Sequence, residues 1–431
     1  MPNEKNCGRP NHESSRRGFL KCTAGLSTMA ANMSLLEVLA QPAMAEQLKQ
    51  KQKSVVLLWL AGGASQLETW DPKPGRATGG PFAEIPTNIP GTRISELLPR
   101  MSRRLHHTAI IRSLNTVIAD HGQAYELMDM GRRKEPGVAF PHLGAMIAHE
   151  LALPDSRIPD YVEMYTSTEG RRKGSAGFLG GRFNPMFLSE GMMPENIQRL
   201  DSISADEHRD RSVLHQILAE RFQHQTPSAA VESHIAAYQR VPGLMASAEL
   251  FDAEREPLAM RQHYGPTQFG QQCLIARRLV EAGVPFVKVA RAWWDSHGQN
   301  FETHRELCAD LDQSMSALLD DLEQRGMLEN TLVISLGEFG RTPKINGSLG
   351  RDHFASAWSC TLSGCGIQGG ALYGKTDADG MNVVDGEAKA SDLFATIFAA
   401  LGLDHEKEIM LGSRPVPLTD FGSQPIAAIL A

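Results

Sequence analysis

The chain has 431 residues, with 43 Lys and Arg against 50 Asp and Glu and a formal net charge of -7. That balance lacks the basic excess that draws a protein to a polyanion, so nucleic acid is not expected as a partner. The length exceeds a typical domain, yet α/β enzymes of this size often fold around one sheet, so one large domain with insertions is expected.

The first forty-five residues read as a targeting segment. Ser15-Arg16-Arg17-Gly18-Phe19-Leu20-Lys21 precedes a mildly apolar run from Thr23 to Leu39, and Ala43-Met44-Ala45 offers a small-x-small cleavage pattern. This is the order of a twin-arginine export signal over residues 1-45. It implies passage through the twin-arginine translocase and a periplasmic or secreted mature domain from residue 46 to 431. No other run reaches the roughly 18 apolar residues of a membrane span, so no transmembrane helix is expected in the mature chain.

Ser54 to Leu60 is a continuous apolar run ending at Ala61-Gly62-Gly63, the pattern of a buried parallel strand entering a glycine turn. Thr108 to Ile111 is a second strand. Between about Ser189 and Gly265 the texture turns to His, Gln, Glu and Arg, and a helical insertion is expected. There Ser204-Ala205-Asp206-Glu207 fits a capping box, and Val213, Leu214, Ile217, Leu218 and Phe222 form one apolar stripe. Thr226-Pro227 can start a second helix, and the pair is expected to pack as a hairpin over an edge or lid of the sheet.

Phe269 to Ala282 has helical spacing with Gly283 at the stop, and Pro285 to Ala290 resumes as a strand. The unit repeats with a helix through Leu307, Leu311, Met315, Leu318 and Leu322, then Thr331 to Leu336 as a strand. A last helix starts at Ser391 as N-cap and stops at Gly402. Such alternation predicts an α/β fold with a mostly parallel sheet covered by helices on both faces. Cys273, Cys308, Cys360 and Cys365 are too few for a disulfide scaffold. Cys360 and Cys365 are read either as a short bridge or as buried small side chains.

The polar clusters follow directly after the apolar strands, where open α/β sheets bind ligands. After the first strand, Gly62 and Gly63 allow close backbone approach and Ser65, Glu68 and Asp71 supply oxygens for a substrate loop; a tight turn with surface acids is the rival reading. Asp120-His121-Gly122 precedes a helix, with His121 as a ligand or anion contact. Asp295 and His297 project to one side of an extended segment, as metal ligands or as a carboxylate orienting an imidazole; a solvated loop would look the same. Glu338 follows its strand without a gap as ligand or base, with Arg341 as an oxyanion clamp and Asp352 and His353 as further ligands. A buried salt bridge from Glu338 to an arginine is the rival there. Together these suit a divalent metal, Zn²⁺ or Mn²⁺, or Ca²⁺ or Mg²⁺ if carboxylates dominate. No GxSxG elbow, Walker loop, HExxH or CxxC occurs, which argues against serine hydrolases, NTPases, zincins and thioredoxins.

In order, GGASQLETWDPKPG, NTVIADHGQA, FGQQCLIARRLVEAG, WDSHGQNFE, LVISLGEFGRTPKIN, GRDHF and DLFATIFAALGLD resemble the bacterial family called domain of unknown function 1501, from about Val55 to about Gly422. The resemblance implies an alkaline phosphatase-like three-layer fold, shared with sulfatases, with export by the twin-arginine route. It implies Asp295 and His297 as the central metal ligands and His353 as the late histidine. Glu338 stands for an aspartate and Phe339 for a second histidine, and Ala61 to Gly63 lack an early aspartate; one metal site rather than two is therefore implied. The usual turn has Asp at Glu68. The nucleophile is Thr116, or Asp120 or His121 nearer the helix start, or a water activated by the metal.

The resulting expectation is an exported metal-dependent hydrolase of sulfate or phosphate esters, acting on an anionic ester or a sulfated or phosphorylated glycan. The alternative is a non-catalytic relative that binds an anionic glycan or a protein partner. A third, a redox-partner or assembly protein, rests on Cys360, Cys365 and the export route.

Overall fold

The structure is a computed structural model that describes residues 52-431 apart from 154-155, 157, 168-171, 189-191, 195-196 and 227. The export signal read at residues 1-45 lies outside the described residues. Among those described, no helix is long and apolar enough to cross a membrane.

Eight strands form one sheet: β1 (Ser54–Leu60), β2 (Thr108–Leu114), β3 (Tyr161–Tyr165), β4 (Met186–Leu188), β5 (Phe286–Arg291), β6 (Thr331–Leu336), β7 (Trp358–Gly364) and β8 (Leu372–Tyr373). Their order is β8-β2-β7-β6-β1-β5-β3-β4, and β7 alone runs against its neighbours. The fold is therefore α/β with a mixed, mostly parallel sheet.

β1 sits at the centre, and every one of its residues is buried because both faces are covered. Val55, Leu57 and Trp59 point to one core, Val56, Leu58 and Leu60 to the other, as the period of two requires. Each such side chain contributes roughly 1.5–3 kcal/mol on full burial. The first face is covered by α1 (His121–Met130), α2 (Leu143–Leu151) and the C-terminal helix Ala390–Ala400. Helices Gln268–Glu281 and Asn300–Gln324 cover the second.

Three local expectations change. The last helix begins after Lys389, not Ser391, because the Asp392 carboxylate accepts from the Lys389 N–H at 3.2 Å. Cys360 and Cys365 are free and buried; five residues of mostly extended chain span about 16 Å, far beyond the roughly 7 Å limit between bridged Cα atoms. The insertion forms helices Ala205–Gln225 and Ala229–Ala246, yet the stripe Val213, Leu214, Ile217, Leu218 and Phe222 is exposed. The second helix is capped by Ser228, whose side chain accepts from Val231 N–H. It is tied down near edge strand β4, where Ser233 Oγ accepts from Gly181 N–H at 2.8 Å.

Candidate metal centre

The carboxyl ends of β1, β2, β5 and β6 point the same way, so the loops that follow them meet. After β2 the chain turns into α1, whose N-cap Asp120 accepts from Gln123 N–H at 3.0 Å. That cap fixes His121 as the first helical residue. After β5 come Asp295 and His297; after β6, Glu338; and a two-stranded ribbon pairs Arg341 with His353.

One atom each of His121, Asp295 and His353 lie within 4.8 Å of one another. His121 Nε2 is 3.3 Å from Asp295 Oδ2, and His353 Nε2 is 3.2 Å from Oδ1. His297 joins them, with Nε2 3.1 Å from Asp295 Oδ1 and 3.0 Å from His353 Nε2. In all three rings the other nitrogen meets an oxygen. His121 Nδ1 faces Glu338 Oε1 at 2.9 Å, His297 Nδ1 faces Asp352 Oδ1 at 3.0 Å, and His353 Nδ1 faces the Ala119 carbonyl at 2.8 Å. Each Nε2 is thus turned toward the Asp295 carboxylate, so a ring held at Nδ1 can offer its Nε2 lone pair once that nitrogen has lost its proton. Ligating histidines are oriented in this way.

The same groups shift one another electrostatically. Burial pushes the Asp295 carboxyl up, but His121, His353 and Arg341 together hold it well below the usual carboxylate range. The hydrogen bonds to Asp295 and Glu338 raise His121 to about 9, so a proton occupies the ring until a stronger cation displaces it. The His297 hydrogen bond lowers Asp352, with Asn346 adding to the effect.

Glu338 is buried behind His121 and also accepts from Gly62 N–H at 2.9 Å; it orients the ring rather than facing the shared point. Arg341 is fully buried. It donates to Asp295 Oδ1 at 2.6 Å, to Gly63 O at 2.9 Å, to Arg351 O at 3.2 Å and to Gly62 O. Four of its N–H groups are thus committed to backbone and to Asp295, and one on Nη1 is left in a fully buried side chain. Thr116 is buried with its hydroxyl 3.3 Å from Trp358 Nε1.

The glycine turn comes close to the centre. A Cβ on Gly62, at φ +106°, would lie 2.4 Å from Asp295 N, so only glycine fits there. Ser65 and Glu68 do not reach solvent. Ser65 N–H donates to His304 Nε2 at 2.9 Å, and Glu68 forms a fully buried pair with Arg351, Nη2 to Oε1 2.7 Å. Phe339, also buried, packs its ring 4.9 Å from that of His121 and 4.4 Å from that of His353, between centroids.

Sequence reasoning missed the Ala119 carbonyl and Asn346. The latter donates to His297 O at 2.9 Å and to Asp352 Oδ1 at 3.2 Å. Neither has a signature, since a backbone carbonyl is anonymous and a lone Asn in a loop reads as a turn. A second group, His106, His107 and Glu323, gathers beside the amino end of β2; its spacing gave no sign of it.

No curated protein matches the chain in sequence. Among solved structures, the PsFucS1 sulfatase from Pseudoalteromonas sp. is similar at 12% identity and a TM-score of 0.39, covering 83% of this chain and 69% of that one. A protein in the alkaline phosphatase superfamily from Vibrio parahaemolyticus is similar at 11% identity and a TM-score of 0.35, covering 82% and 67%. The phosphonate monoester hydrolase of Agrobacterium radiobacter is similar at 11% and 0.38, covering 87% and 76%. The model of the family described as "Protein of unknown function (DUF1501)" matches residues 52–430, and the chain belongs to that family.

Proposed function

We propose that the chain is a metal-dependent hydrolase of phosphate or sulfate esters, with one divalent ion held by His121, Asp295, His297 and His353. The observation that carries this reading is the orientation of three imidazoles, each with Nδ1 held by an oxygen and Nε2 turned to Asp295. Three nitrogens and a carboxylate suit Zn²⁺ or Mn²⁺ better than Ca²⁺ or Mg²⁺, which prefer oxygen. When bound, such an ion supplies Lewis-acid polarisation of the ester's oxygen.

The chain's own groups do the rest. Arg341 and Glu338 fix Asp295 and His121 in place, and Phe339 packs against the rings of His121 and His353. His297, half exposed, has Asp352 behind its Nδ1, which holds the ring with Nε2 toward Asp295. Thr116, hydrogen-bonded and buried, is a poor nucleophile in this arrangement, which favours direct attack by water.

Turnover of aryl phosphate and aryl sulfate esters, abolished in His353→Ala with the fold intact, is the expected result. No turnover with any divalent ion would overturn the reading. The full burial of Arg341, with four of its N–H groups held by internal acceptors, favours a second reading, a non-catalytic relative that binds an anionic glycan or a protein; ester binding without turnover would select it. Export by the twin-arginine route is part of the proposal, resting on Arg16, Arg17 and Ala43-Met44-Ala45. Replacing both arginines by lysine should leave the chain in the cytoplasmic fraction.

A further inference from the structure

Among the described residues, four that are not glycine have positive φ: Val117 at 63°, Trp293 at 79°, Gln299 at 51° and Leu349 at 54°. Such a backbone is a genuine outlier for a β-branched or bulky residue and costs about 1–3 kcal/mol each. All four lie in the loops that build the metal centre. Val117 stands two residues before Ala119, which holds His353; Trp293 stands two before Asp295; Gln299 stands two after His297; Leu349 stands three before Asp352.

Burial does not repay this strain. Val117 is 70% exposed, Trp293 56% and Leu349 60%. Hydrogen bonds hold them there instead. Ile118 N–H donates to Thr116 O at 2.7 Å, closing a γ-turn with Val117 at its apex, and Trp294 N–H donates to Ala61 O at 3.1 Å, which draws Trp294 into the core and turns Trp293 outward. Gln299 and Asn300 N–H donate to Ser348 O and Leu349 O at 3.1 and 3.0 Å. Three apolar side chains are thus held in water at the edge of a charged centre. Arg341 and Arg351 are both fully buried, so neither guanidinium reaches outward to meet a second charge on the ligand.

We propose that Val117, Trp293 and Leu349 form a recognition rim for the part of the ester that is not transferred, and that this part is an uncharged ring with a flat apolar face. An indole offers such a ring a stacking surface with little rotamer entropy to lose, and Val117 and Leu349 add exposed apolar surface on other loops of the same centre. The inference rests on the ester-hydrolase reading only for its link to turnover; the binding of rings stands or falls separately.

Trp293 makes the test direct, because Trp59, Trp70, Trp294 and Trp358 are at most 2% exposed and the chain has five tryptophans. Acrylamide quenching of the full chain therefore reports Trp293. Phenyl phosphate and glucose 6-phosphate are compared with methyl phosphate, and phenol and methyl glucoside are used as rings without an anion. A ring-bearing ligand should protect the exposed tryptophan, and methyl phosphate should not; protection by phenol or by the glucoside alone assigns the ring as aryl or pyranose.

Trp293→Gly relieves the positive φ, so it should fold with a higher thermal midpoint. It should also raise KM for phenyl phosphate at least tenfold relative to methyl phosphate. Equal protection by methyl phosphate, or an unchanged KM ratio in both Trp293→Gly and Leu349→Gly, overturns the rim while leaving the hydrolase reading intact. Protection by neutral rings in a chain that turns over no ester supports the rim while the hydrolase reading fails.

Discussion

Glu68→Gln separates a structural role from a ligand role at the first glycine turn. Glu68 and Arg351 are both fully buried, with Nη2–Oε1 at 2.7 Å and Nε–Oε2 at 3.1 Å. Arg351 also donates to Thr342 O at 3.0 Å, Pro343 O at 2.5 Å and Thr78 O at 2.8 Å, so one guanidinium ties three segments together. Glutamine keeps the shape and removes the anion, leaving a buried cation with carbonyls only. Breaking a buried pair from one side costs about 3–5 kcal/mol, a large share of the roughly 5–15 kcal/mol that holds a domain folded. The same loop carries Asp352 and His353, so metal affinity should fall with stability. The assay is urea unfolding of the full chain beside metal titration, with the midpoint expected to drop at unchanged m-value. If stability stays within about 0.5 kcal/mol, the scale of an ordinary surface change, while only KM rises, then Glu68 belongs to an open substrate loop and the reasoning fails.

Three further outcomes follow from the same geometry. Burial pushes His304 down to about 4 from 6.5, so its contribution is complete above pH 6.5 and lost as the pH falls through that window toward 4, by about 3 kcal/mol in all. Urea midpoints between pH 7 and 4.5 should show that slope, and His304→Gln should flatten it; an equal slope in both proteins contradicts the assignment. Thr116→Val removes the acceptor of Trp358 Nε1 and should cost about 1–3 kcal/mol with ester turnover retained, whereas loss of turnover in a folded, metal-loaded variant would make Thr116 the nucleophile. Asn346→Ala frees the His297 loop and Asp352, and should weaken metal binding about 10- to 100-fold, measured by competition with a chromophoric chelator; unchanged affinity would show that Asn346 only closes a turn.

What the sequence disclosed depended on whether burial was one-sided in chemistry. β1 and β6 are plain apolar runs and their bounds were legible to the residue. β7 was not, because its WSCTLSG run is half polar; the Ser363 hydroxyl pairs with Thr108 across the sheet at 2.8 Å, while those of Ser359 and Thr361 are buried without a partner. Lys288 in the middle of β5 gave no hint of its role. It is fully buried and joins Tyr125 at 2.8 Å and Asp129 at 3.2 Å, both on the helix that begins at His121. The residues that converge, His121, Asp295, His297 and His353, could be picked out from their place after strand ends. What each acidic or basic neighbour does was not, because Glu68 meets Arg351 across most of the chain, and Arg341 turns inward through four hydrogen bonds that only the fold assembles. The exposed stripe from Val213 to Phe222 carried the pattern of a buried face, and periodicity alone does not say what lies opposite.

The most direct test of the metal centre is the stoichiometry and affinity of Zn²⁺ and Mn²⁺ on the full chain, by calorimetry, for the natural sequence and for Asp295→Asn and His353→Ala. The account predicts a tight site lost in both variants while the urea midpoint shows the fold retained, and proton release on binding as His121 gives up the proton it otherwise holds. Binding that survives Asp295→Asn and His353→Ala, and disappears instead in His107→Ala at the other cluster, would contradict it.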